Sequence, residues 1–159
     1  SEAKKNPALH IVGVFNGPES AKAAEVVKEA VAKHPDINAW LMVGPWPMDN
    51  QALLKYLDPS QVKVFALGCT PRSLYFVDKG AVLYATPAYQ LGYKSVQTVV
   101  QKVIANQPVE SVIKVELNPD RVYRENLKTW AKNLSSWGYK DVPPEFLFMQ
   151  QKKRFAESN

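Results

Sequence analysis

Few side chains in this sequence are chemically versatile and also placed to act together. The two histidines, His10 and His34, stand at the start of an apolar run and just before a proline. No Asp, Glu or Cys lies at metal-ligand spacing from either, so no metal site is expected. Cys69 is the only cysteine, which excludes an intrachain disulfide and any cysteine-based metal site. It sits where an apolar run ends, a position that suits a nucleophile, but no histidine is placed to activate it. It reads instead as a small buried side chain near a turn. The loops hold no paired carboxylates for proton transfer, no GxGxxG dinucleotide loop and no lysine-type phosphate loop. Neither a catalytic residue nor a cofactor is therefore expected.

Trp46 is the side chain that most invites a binding role. It lies between Pro45 and Pro47, whose rings stiffen the backbone on both sides. An indole face stacks well on the apolar C–H face of a sugar ring, and a rigid ring loses little entropy on binding. A lid over the edge of a sheet would use the same ring equally well. Trp40, inside an apolar run, reads as core, and Trp130 and Trp137 as packing for a final helix.

Short apolar runs alternating with helical patterns must position these residues. The β-branched run 10–15 (HIVGVF) ends at Asn16-Gly17-Pro18 and reads as a strand followed by a turn. Asn16 could cap the next helix, near 19–33, with Glu19 in the capping-box position. Ala23, Val27, Ala30 and Val31 recur there at helical spacing, and His34-Pro35 stops the pattern. A strand near 39–43 ends at Gly44-Pro45-Trp46-Pro47, after which Asp49 could cap a short helix over 49–57. A third strand near 62–67 ends at Gly68-Cys69-Thr70-Pro71, and a short helix near 73–79 leads to a fourth near 82–85. Helices over 89–105 and 119–134, with a strand at 112–117 between them, complete the regular part.

Nearly continuous apolar strands separated by helices predict an α/β fold, a doubly wound parallel sheet covered on both faces. Ligands of such sheets lie beyond the carboxy ends of the strands. Those ends are Asn16-Gly17, Gly44–Pro47 and Gly68–Pro71, rich in Gly and Pro and poor in charge.

Composition agrees with a soluble globular domain. Nearly half of the 159 residues are apolar and about a fifth are charged. No apolar stretch approaches the roughly 18–20 residues of a membrane-spanning helix. The polar start, Ser1–Asn6, does not read as a signal peptide and leaves the compartment open. Of the net charge of +5, Lys152, Lys153 and Arg154 in the tail supply three. Elsewhere the charges alternate in sign, as on solvated helix faces rather than a nucleic-acid surface.

In order, the stretches AKAAEVVKEAVAKHPDINAWLMVG, VKVFALG and DKGAVLYATPAYQLGYKSVQTVVQKVIANQPV resemble the carboxy-terminal part of type I (ribose/galactose-type) periplasmic sugar-binding proteins. The related effector domains of LacI-type repressors share the pattern. The likeness spans roughly residues 9–130, and HPDINAW and YQLGYKSV are its most specific segments. It implies a ligand-binding protein, not an enzyme, with the ligand lying against Asn16, Trp46, Gly68 and Thr86. Three departures bear on that ligand. Gly44-Pro45 stands where many members carry Asn-Asp, Gly68 where an Asp is usual, and Thr86 where a Gln is frequent. A site built this way suits a bulkier or less polar ligand than a free pentose or hexose.

The resemblance also implies an organisation. Residues 1–88 would form the carboxy-terminal lobe of a two-lobed protein whose amino-terminal lobe is largely missing here. Residues 89–110 would be a crossover segment packing on that lobe, and 111–159 a closing strand, helix and irregular tail. The expected partners are a carbohydrate-like small molecule, the amino-terminal lobe and the membrane permease of an ABC transport or sensing system, with no nucleic acid. The location would be periplasmic or extracellular, with or without a lipid anchor. The alternative is the effector-binding domain of a LacI-type transcriptional regulator, which would be cytoplasmic. In either case Tyr93, Val96, Val100, Val103 and Ile104 form a stripe too apolar to face water.

Overall fold

Three apolar runs pair side by side and set the frame of the molecule. The computed structural model describes residues 6–86, 88–108 and 117–148. Helix α1 (Ser20–Lys33) precedes strand β1 (Ala39–Met42), which leads through two 3-10 turns (Trp46–Asp49 and Gln51–Lys55) to β2 (Lys63–Leu67). Helix α2 (Leu74–Asp78), strand β3 (Val82–Ala85) and helix α3 (Ala88–Ile104) follow. Strand β4 (Asp120–Val122), a 3-10 turn (Arg124–Asn126) and helices α4 (Leu127–Ser136) and α5 (Pro144–Phe148) close the described chain. The sheet order is β1-β2-β3-β4. The first three strands run parallel, as expected, and β4 adds an antiparallel edge on β3.

Strand alternation sorts the side chains by face. Met42, Val64, Ala66, Leu83, Ala85 and Val122 share one core with Leu74, Phe76 and Val77 of α2 and with Leu127, Trp130, Ala131 and Leu134 of α4. Helix α1 adds Ala24 and Val27, and the 3-10 segment adds Met48 and Leu53. Burying a large apolar side chain contributes about 1.5–3 kcal/mol, so this single cluster carries the fold. Trp130 packs there edge-on to Trp137, ring centres 5.6 Å apart. Tyr75 donates to Glu145 Oε1 at 2.7 Å and meets Phe146 edge-on, which fastens α5 to α2.

The opposite face is open among the described residues, where cover on both sides was expected. Leu41 is 68% exposed and Val43 74%, and Leu67 and Tyr84 are exposed too. Register places Leu41 beside Phe65 and Phe65 beside Val82, so these side chains form one apolar row across three strands. Helix α3 is equally bare. Tyr93, Val96, Val100 and Val103 follow helical spacing and are all exposed, and α3 packs substantially on no other described element.

Local readings differ in several places. Residues 10–15 carry no regular secondary structure and join no sheet. The β-branched pattern favours extended backbone, but a strand also needs a partner's hydrogen bonds, and the edge of β1 is not used. Only Phe15 finds a ring neighbour there, Trp40 at 5.8 Å. Asn16 does not cap α1, which starts at Ser20 with Glu19 as its N-cap. Asn50 rather than Asp49 caps the turn before Leu53, accepting from the Ala52 N–H at 3.0 Å. The helix expected over 119–134 begins only at Leu127, because Asn126 accepts from the Tyr123 N–H and donates to the Arg121 carbonyl. Those bonds compete with helix formation and leave Asp120–Val122 to the sheet. Helix α5 occupies a stretch read as irregular, with Pro144 as its first residue. The strand expected at 112–117 lies, apart from Leu117, outside the described residues.

Phe76 is fully buried on α2. Phe76→Ala should cost about 3–5 kcal/mol, whereas Val14→Ala, at a position 94% exposed, should stay within about 0.5 kcal/mol. Urea unfolding of the two variants checks the assignment.

Candidate functional site

Because β1, β2 and β3 are parallel, their carboxy ends share one edge. The chain leaves β1 through Val43-Gly44-Pro45-Trp46, β2 through Gly68-Cys69-Thr70-Pro71, and β3 at Thr86. Gly68 adopts φ +89°, a conformation that favours glycine, and its N–H bonds the Tyr84 carbonyl at 2.8 Å. A side chain there would also meet Pro45, whose Cδ would lie 2.9 Å from a Cβ. The loops after β1 and β2 therefore touch, and Gly68 is what lets them.

Trp46 joins a third segment to this edge. Its Nε1–H donates to the carbonyl of Gly17 at 2.8 Å, so the chain entering α1 is tied to the loop leaving β1. The ring is 40% exposed and belongs neither to the core nor to a strand face. Asn16, next to Gly17, is exposed, and Thr86 is half-buried at the end of β3. Trp46, Gly68 and Thr86 follow the carboxy ends of β1, β2 and β3, whereas Asn16 ends a run that forms no strand and is linked to this edge through its neighbour Gly17. Two glycines named from the sequence only as parts of the loops have specific roles: Gly17, through its carbonyl oxygen, and Gly44, over which the indole lies. A glycine directly before Pro-Trp-Pro was the available signal for the second.

Several other polar groups at this edge are paired with each other. Thr70 Oγ1 donates to Asp49 Oδ1 at 2.6 Å, and the Thr70 N–H bonds Ser73 Oγ at 3.0 Å. Ser73 Oγ also approaches Cys69 Sγ at 3.6 Å. Burial pushes the Cys69 thiol up to about 11, while the Ser73 hydroxyl pulls the other way. A protonated thiol is a poor nucleophile. No three His, Cys, Asp or Glu side chains come together among the described residues. Nor is any described helix long and apolar enough to cross a membrane.

Two depressions lie away from the edge. One, of about 220 Å³, is lined by His34, Trp40, Tyr56 and Asp58 near the amino ends of β1 and β2. The other, of about 540 Å³, lies between Gln51, Arg72, Tyr75 and Lys140.

The thiol yields a direct check. Its pKa in the fold exceeds the 9.0 of an ordinary thiol by about two units. Iodoacetamide at pH 8 should therefore alkylate the folded chain about 100-fold more slowly than the unfolded one. Since the folded value is raised, this group's contribution to stability is complete below pH 9 and is lost as the pH climbs toward 11.

No protein-family model matches the chain, and no curated protein does. Solved structures do. GanP, a glucose-galactose binding protein from Geobacillus stearothermophilus, superposes with a TM-score of 0.55 at 20% identity, over 69% of this chain and 40% of its own. An ABC transporter periplasmic solute binding protein from Actinobacillus succinogenes 130z, with bound D-allose, gives 0.56 at 20% identity, over 79% and 46%. Both are binding proteins rather than enzymes, and the chain spans less than half the length of either. The chain has the fold of part of a sugar-binding periplasmic protein.

Proposed function

We propose that this chain is the carboxy-terminal lobe of a sugar-type solute-binding protein, which holds a carbohydrate-like ligand and does not transform it. The ligand rests on the edge formed by Asn16, Trp46, Gly68 and Thr86, and an amino-terminal lobe closes over it. The loaded protein serves the membrane permease of an ABC-type transport or sensing system, in the periplasm or outside the cell. The observation that carries this reading is Trp46: a half-open indole, fixed by the Gly17 carbonyl, at the ligand end of a parallel sheet. The sugars printed for the two structural neighbours support the ligand class.

The division of the chain belongs to the same proposal. Residues 1–88 form the lobe, 89–110 cross to the other lobe and 111–159 close the unit. The exposed stripe of α3 supports this, because each such side chain gains about 1.5–3 kcal/mol from a covering partner.

Two measurements test the proposal. In the protein carrying both lobes, Trp46→Ala should weaken calorimetric binding of D-glucose, D-galactose or D-allose roughly 5- to 100-fold. Unchanged affinity would remove Trp46 from the site. Val96→Glu with Val100→Glu should shift the unfolding of this chain alone by no more than about 0.5 kcal/mol per site. In the two-lobed protein the same pair should lower the unfolding midpoint clearly, and an equal response in both contexts would sink the division at residue 89.

A further inference from the structure

The polar groups of the ligand edge are largely engaged before any ligand arrives. The Trp46 N–H is held by the Gly17 carbonyl, the Gly68 N–H by the Tyr84 carbonyl, and the Thr70 hydroxyl by Asp49. Pro45 and Pro47 have no N–H to offer. Asn16, Thr86 and the second carboxylate oxygen of Asp49 keep hydrogen-bonding capacity at this edge. A free hexose presents several hydroxyl groups, and each one buried without a partner is penalised. What the edge does offer is an exposed indole whose N–H is tied to the Gly17 carbonyl.

The position of the ring has a second cause besides the hydrogen bond. A Cβ on residue 44 would lie 1.7 Å from Trp46 Cζ3 and 2.2 Å from Cε3, inside the space the ring occupies. Only glycine leaves room for the indole to lie where it does. Gly44 is therefore a positioning residue: it touches no ligand and determines where the aromatic face is.

We infer that the Gly44–Trp46 pair is the specificity element of this edge, and that it selects glycosides carrying an apolar aglycone, aryl or alkyl, over the free sugar. The inference rests on the sugar-binding reading above and narrows it. The sugar meets Asn16, Thr86 and part of the indole, and the aglycone covers the rest of the indole face. No bond is made or broken.

The test uses phenyl β-D-glucopyranoside and D-glucose, titrated calorimetrically into the two-lobed protein. The aryl glycoside should bind at least about 10-fold more tightly. Gly44→Ala should bring the two affinities together while the unfolding transition stays cooperative, and Trp46→Leu should do the same should Gly44→Ala not fold. A purely structural role for Gly44 would lower both affinities in proportion and leave their ratio unchanged. In nitrogen-15 spectra, the Trp46 indole N–H, assigned by its absence in Trp46→Phe, should move with the aryl glycoside and much less with D-glucose. Equal affinities in the unaltered protein, or a ratio unchanged in both variants, would overturn the selectivity and leave sugar binding standing. Binding of neither compound would overturn both.

Discussion

Three parallel strands must bury one face, and nearly every other feature depends on how they do it. Val64, Ala66, Leu83 and Ala85 are inaccessible or almost so because α2 and α4 lie over them. Parallel pairing forces each connection to cross the sheet and return to the same end. All the loops that follow the strands are thereby collected at one edge, although they are far apart in sequence. A site there needs no loop with structure of its own, only short exits held against each other. Gly68 against Pro45 and Trp46 against Gly17 supply that contact.

The edge works by shape more than by charge. Its one carboxylate, Asp49, is occupied by the Thr70 hydroxyl, and its one thiol is kept protonated by burial. Such a surface has little to offer a metal, a phosphate or an acid–base step, and a good deal to offer an apolar ring face. Its exposed indole is a rigid group that loses little conformational entropy on contact with a partner.

Two large apolar surfaces remain outside the single core: the row through Leu41, Phe65 and Val82, and the stripe along α3. Isolated exposed apolar residues are ordinary, whereas contiguous ones mark a surface built to be covered. The row lies on the sheet that forms the core, whereas α3 packs substantially on no other described element. The two neighbours extend well beyond the part matched here, which is the context in which such surfaces make physical sense.

The sequence by itself determined the strands β1, β2 and β3 and the helix α1, because each is a self-contained periodic run ended by Gly or Pro. It also located the edge, since parallel strands place their ends together whatever the details, and it singled out Trp46 between its prolines. What only the tertiary structure decided was everything that depends on a partner. Residues 10–15 have a strand's pattern and no strand, since nothing pairs with them. Asp120–Val122 join the sheet rather than a helix because Asn126 captures the local backbone and β3 supplies an edge. Asn16 has a capping side chain that goes unused. The role of Gly44 could not be read from one position, because it consists in the space left for a ring two residues later. Periodicity is a property of one segment, whereas pairing, cover and clearance belong to two segments that meet only when the chain folds.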